Sequence, residues 1–128
     1  MIYLDTSVLL ARLFAEDRFP PDAFWEQPLV SSRLIEYEAW TRIHGRNVAK
    51  THGEAARLLL ARVALVELLP PVLARALEPF PIPVRTLDAV HLSTALFLHR
   101  HDRSLRIATY EGTLAAAAAA LRIRVLQP

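Results

Sequence analysis

The chain has 128 residues, of which 53% are hydrophobic, a formal net charge of +2 and no cysteine. That length suits one domain able to bury most of the apolar surface of its unfolded form, and disulfide or thiolate chemistry is excluded. No stretch free of charged side chains exceeds Ala89–His99, which falls well short of the roughly 20 apolar residues a membrane span needs.

The amino terminus lacks the basic segment and apolar run of a secretory signal, so a cytoplasmic protein is expected. Lys50 is the only lysine, and every other basic residue is arginine. Arginine suits bidentate phosphate contacts, but a charge this mild permits nucleic-acid binding without demanding it. Genome base composition accounts for the arginine content equally well.

Met1–Leu4 reads as a short apolar strand, and Asp5-Thr-Ser offers N-cap chemistry to a helix reaching about Ala15. Phe19-Pro-Pro-Asp22 breaks that helix and starts a short one through Glu26. Pro28–Ser31 is a second strand. Ser32 opens a long helix to about His44 that Gly45 closes. Residues 51–66 form an alanine- and leucine-rich helix, and Leu65–Leu69 is expected to carry a third strand up to Pro70-Pro71.

A short helix follows over Val72–Leu77. Pro79-Phe-Pro-Ile-Pro-Val84 cannot be helical, because its prolines remove donors and restrict the residues before them. The remaining elements are a helix from Asp88 to about His101, a strand at Leu105–Thr109, a helix at Glu111–Leu121 and a strand at Ile123–Leu126. The alternation of strand and helix predicts an α/β fold, a doubly wound, mostly parallel sheet of four to five strands with helices on both faces.

Four acids stand where a strand hands over to a helix, or early on the helix that follows: Asp5, Glu38, Asp88 and Glu111. In a parallel α/β sheet such positions meet at the carboxyl ends of the strands, where these folds place their ligands. Carboxylates a few ångströms apart raise each other's pKa, and a hard divalent cation resolves that conflict. Each residue also has an ordinary explanation. Asp5 suits an N-cap, while Asp88 and Glu111 suit helix starts, where the macrodipole favours any anion. Periodicity leaves Glu38 and Glu36 open as alternatives, since both fall among apolar positions, and Glu36 could pair with Arg33. The recurrence of all four at successive junctions is the informative feature.

Absences narrow the field. With glycine only at positions 45, 53 and 112, neither a phosphate-binding glycine loop nor a dinucleotide fingerprint can be assembled. No Gly-x-Ser-x-Gly and no His-Glu-x-x-His occurs. His99 and His101 read as solvated, and His91 as a packed group or a partner to a neighbouring acid. A phosphatase with an aspartyl nucleophile would want an aspartate at Ser7, and a receiver domain would want a well-placed lysine that Lys50 does not supply.

Ile2-Tyr-Leu-Asp-Thr-Ser-Val-Leu9, Ser32-x-Leu34-x-x-x-Glu38, Leu87-Asp-Ala-Val-His-Leu-Ser-Thr-Ala95 and Thr109-Tyr-Glu111 resemble the PIN-domain nucleases. Within them the chain is most similar to the VapC-type toxins of bacterial and archaeal toxin–antitoxin pairs. The resemblance runs along residues 1–128 in order and selects Glu38 over Glu36. It implies a single three-layer α/β/α PIN-like domain whose acidic cleft holds Mg2+ or Mn2+, and endoribonuclease activity. It also implies a homodimer and a small antitoxin partner. Asp5, Glu38 and Asp88 match the family's acidic positions, whereas Glu111 stands where aspartate is usual and is about 1.5 Å longer.

On this reading Thr6, Ser7 and Thr109 support the carboxylates, and Arg12, Arg42 and Arg85 are candidate RNA contacts. The competing expectation, favoured by Glu111, is a PIN-like module that binds RNA or protein without catalysis.

Overall fold

The computed structural model describes residues Met1–Pro128. Its strands are β1 (Ile2–Leu4), β2 (Leu29–Ser32), β3 (Val63–Val66), β4 (Arg106–Ala108) and β5 (Arg124–Leu126). The helices are α1 (Thr6–Leu13), α2 (Leu34–Gly45), α3 (Ala49–Leu60), α4 (Pro70–Ala76), α5 (Thr86–His99) and α6 (Gly112–Ala120), with a 3-10 turn at Asp22–Glu26. The strands run β3-β2-β1-β4-β5, and every neighbouring pair is parallel.

β1 is buried at every position, as a central parallel strand covered on both sides must be. Its alternation divides the core. Ile2 and Leu4 pack with Val8, Leu9, Ile35 and Leu60 beneath α1–α3, while Tyr3 packs with Leu92, Ile107 and Leu114 beneath α5 and α6. These are the expected three layers.

The chain winds from β1 out through β2 to β3, then crosses back to lay β4 on the other side of β1. The carboxyl ends of β1 and β4 therefore flank the point where the winding reverses, the usual ligand position in open α/β sheets.

Several boundaries differ from expectation for identifiable reasons. The third strand is Val63–Val66 rather than Leu65–Leu69, because it takes its register from β2, with Leu29 opposite Val63 and Ser32 opposite Val66. Pro70 and Pro71 do not end it; they occupy the first turn of α4, where a missing N–H costs nothing. Gly45 does not close α2 but lies within it, and the chain reverses at Asn47, which has a φ of 55°. Asparagine is one of the few residues that visits this left-handed region routinely. The first helix stops at Leu13, with Ala15 at a φ of 48°.

Candidate active site

Asp5 leaves the end of β1 and is only 4% exposed. Its carboxylate Oδ2 accepts from the Ser7 hydroxyl at 2.6 Å, the Thr109 hydroxyl at 2.8 Å and the Ser7 amide at 3.4 Å. Asp5 is thus the N-cap of α1, as its ordinary explanation requires. All of these bonds fall on one oxygen, which leaves Oδ1 for the cleft. Thr109 also accepts from the Glu111 amide at 3.0 Å, so one hydroxyl ties the ends of β1 and β4 together.

Glu38 projects from α2 and is held in the same manner. Its Oε1 accepts from the Thr6 hydroxyl at 2.7 Å and from His91 Nε2 at 2.5 Å, leaving Oε2 without a protein partner. His91, 1% exposed on α5, meets the Tyr3 hydroxyl through Nδ1 at 2.7 Å. That hydroxyl accepts in turn from the Ser32 amide at 3.2 Å. Burial alone would lower the His91 pKa, but the Glu38 hydrogen bond and the charges of Glu38, Asp5 and Asp88 raise it above the ordinary histidine value. Burial would raise the Glu38 pKa, but His91 and Thr6 pull it below the usual carboxylate range. Both directions describe an imidazolium–carboxylate pair anchored to the core through Tyr3. Glu36 instead pairs with Arg33 at 2.9 Å, so the open choice within α2 falls on Glu38.

Asp88, in the first turn of α5, and Glu111, N-cap of α6, are less constrained. Glu111 makes no capping hydrogen bond, so its side chain is not engaged by the role that would explain it away. Desolvation raises the pKa of both, and neighbouring carboxylates add to it. Asp5 presses on Asp88, while Asp5, Asp88 and Glu38 press on Glu111. The four acids together line a polar cavity of about 290 Å³. Glu38, Asp88 and Glu111 also line an adjoining cavity of about 900 Å³.

The donor set suits a hard cation. All four acids present carboxylate oxygens to the cavity, two of them are each oriented through one oxygen, and burial together with neighbouring negative charge raises the pKa of Asp88 and Glu111. No three acidic or imidazole groups stand close enough to form a ready coordination shell, as expected of carboxylates that repel one another. Magnesium tolerates this, since it keeps several waters and needs only one or two direct carboxylates.

Arg42 lines both cavities, and Arg85 lines the larger one. Arg12 is placed elsewhere: it is ion-paired to Asp22 at 2.9 Å and borders a separate depression formed with Leu58 and Arg62. Thr6 supports Glu38 rather than Asp5, which is the work of Ser7 and Thr109. Arg46 was not among the expected site residues. It lines the smaller cavity with its guanidinium 3.9 Å above the Phe14 ring, a stack between distant segments that leaves no local sequence signal.

Residues 2–120 match the PIN domain family model. The chain is 32% identical to "Ribonuclease VapC35" of Mycobacterium tuberculosis, from strains CDC 1551 / Oshkosh and H37Rv, over 100% of this chain and 97% of the relative. A solved structure, "Toxin-antitoxin complex from Klebsiella pneumoniae", superposes with a TM-score of 0.62 at 18% identity, covering 100% of this chain and 98% of that one. At that identity the structure speaks for the fold alone. Matched over nearly its whole length by the family model and by a relative above 30% identity, the chain belongs to the PIN domain family.

Proposed function

We propose that residues 1–128 form a single nuclease domain, a metal-dependent endoribonuclease that acts as the toxin of a toxin–antitoxin pair. The observation that carries this reading is the meeting of Asp5, Glu38, Asp88 and Glu111, from four separate stretches of chain, around one polar cavity. The name of the relative, a ribonuclease, supports RNA as the substrate.

Asp5 and Asp88 would hold the main cation, Mg2+ or Mn2+. When bound, such an ion neutralises charge on the phosphodiester and makes water acidic enough to attack phosphorus. Asp5 is pre-aimed by Ser7 and Thr109. Glu38, kept ionised by His91 and Thr6, orients the attacking water through its free oxygen. Glu111, whose pKa is raised by burial and by the neighbouring carboxylates, would bind water or a second ion delivered with the phosphate. Arg42 and Arg85, with Arg46, meet the phosphates of the incoming single strand. Glu111 lines the same cavity as the other acids, which supports a catalytic reading over a module that only binds.

A small antitoxin would block the cleft. A second copy of the chain would cover the apolar face around Leu73 and Leu77, the latter 90% exposed. No helix is long and apolar enough to cross a membrane, and an RNA substrate supports a cytoplasmic location.

The test is incubation of purified protein with single-stranded RNA in chelator, then with Mg2+ or Mn2+ restored. Cleavage should require the ion and yield 5′-phosphate and 3′-hydroxyl ends, because water attacks rather than the ribose 2′-hydroxyl. A 2′,3′-cyclic phosphate product, or cleavage that survives chelation, would reject the reading.

A further inference from the structure

Arg12, Arg33, Arg57 and Arg75 are each paired with a carboxylate. Arg42, Arg46 and Arg85 line the carboxylate cleft, Arg18 lies over the Tyr110 ring and Arg62 reaches the Trp25 carbonyl. A further group stands at the amino ends of β4 and β5. Arg100, Arg103, Arg106, Arg122 and Arg124 gather there, and none enters an ion pair. Arg106 and Arg124 are register partners on adjacent parallel strands. By the alternation that sends Ala108 and Leu126 to the α1–α3 face, these two arginines share that face. Like charges placed side by side on neighbouring strands oppose folding.

The acid nearest in sequence is Asp102, and its carboxylate is taken by the Ser104 amide at 3.0 Å and the Ser104 hydroxyl at 2.5 Å. Its charge also faces the chain's amino group and His99, and no ion pair joins it to the arginines. Arg100 and Arg122 sit just past the ends of α5 and α6, where positive charge complements the helix dipole. Arg103, Arg106 and Arg124 have no such role.

We propose that these arginines form a second RNA-binding surface, a phosphate-contacting pole at the end of the sheet opposite the carboxylate cleft. Guanidinium forks match phosphate oxygens bidentately, and unpaired arginines supply the counter-ion release that drives such binding. From Arg106 to Glu111 the chain spans at most about 16 Å, the reach of five extended residues at roughly 3.3 Å each. A folded RNA longer than that span touches both ends of the domain, whereas a very short oligonucleotide occupies the cleft alone. The pole thus selects large, structured RNA over fragments. This assignment rests on the ribonuclease reading for its choice of polyanion.

The experiment compares Arg103→Gln/Arg106→Gln/Arg124→Gln with the unaltered pole, both carried in Asp5→Asn protein, so that binding is read without cleavage. The probes are a long mixed-sequence hairpin RNA and a single-stranded tetranucleotide, titrated across a salt series. For the hairpin the slope of log affinity against log salt should fall by about 2.7, at roughly 0.9 for each duplex phosphate that is no longer neutralised. Tetranucleotide binding should not change. With Asp5 restored, tetranucleotide cleavage should not change either, while hairpin cleavage should show a raised KM at an unaltered kcat.

An unchanged hairpin slope in a folded variant overturns the assignment. So does an equal loss on both probes. If the triple variant does not fold, Arg103→Gln alone must lower the hairpin slope by about 0.9, and no change there is equally fatal. The binding arm reports on the pole even if wild-type protein cleaves nothing, so the two readings fail separately.

Discussion

His91→Phe tests the anchoring of Glu38 most directly. The substitution keeps a ring in a site only 1% exposed but removes the donor to Glu38 and the partner of the Tyr3 hydroxyl. A hydrogen bond to a charged group contributes about 1.5–3 kcal/mol, and a buried hydroxyl left short of a partner costs about 1–3 kcal/mol. Apolar packing of the new ring offsets part of this. So does recovery of water by Glu38, whose side chain is 21% exposed. A net loss of about 3 kcal/mol is expected. With an unfolding entropy of about 2.1 cal/mol/K per residue, a chain of 128 residues should melt about 11 °C lower.

The pH dependence follows from opposite shifts. The His91 pKa is raised by folding, so its contribution is complete below the ordinary value of 6.5 and is lost as pH climbs through the higher folded value. The Glu38 pKa is lowered, so its contribution is present above the ordinary 4.5 and lost as pH falls through the lower folded value. Measured in chelator, the gap between wild type and variant should therefore be widest between those two ordinary values and narrow on either side. Cleavage should fall about 10- to 100-fold, the usual cost of losing a partner that orients a ligand. A variant that melts within a few degrees of wild type, with the same pH profile and full activity, would refute the proposed anchoring.

Asp5→Asn should abolish metal-dependent cleavage while retaining the fold, because asparagine still caps α1; circular dichroism and a cleavage assay check this together. In chelator that variant should be at least as stable as wild type, since the Asp5 charge presses on Asp88 and Glu111. The raised pKa values of Asp88 and Glu111 favour the folded state while those groups are protonated, and the advantage is lost as pH rises through the folded values. Added Mg2+ should therefore raise the melting temperature more at alkaline than at acidic pH, and a pH-independent shift would count against carboxylate ligation. Glu38→Gln should cripple cleavage, whereas Glu36→Gln should leave activity and melting temperature near wild type, a contrast read in one assay. Glu111→Asp should retain cleavage that Glu111→Ala loses.

Much of the fold was legible because its strands are short, apolar and separated by helical periods. The carboxylates were legible because each falls at a strand-to-helix junction. The misplaced elements have separate causes. Residues 61–69 contain no strong local stop, and β3 was set by its register with β2. Asn47, rather than Gly45, makes the left-handed turn after α2. Asp88 and Glu111 could each be excused locally as helix-start acids, and only the observation that Glu111 caps nothing separates the two roles.

By itself the sequence determined the alternating α/β order, the oxygen-only character of the acidic positions and the exclusion of thiol, glycine-loop and serine-hydrolase chemistry, because these depend on residue type and short spacing. Tertiary structure alone decided that Thr6 and His91 serve Glu38, that Ser7 and Thr109 serve Asp5, that Arg12 lies away from the cleft and that Arg46 borders it. It also decided that Arg106 and Arg124 stand side by side. Apart from the local Ser7–Asp5 contact, those facts depend on residues well separated in sequence, and proximity of that kind is created by strand order and register, which no local propensity encodes.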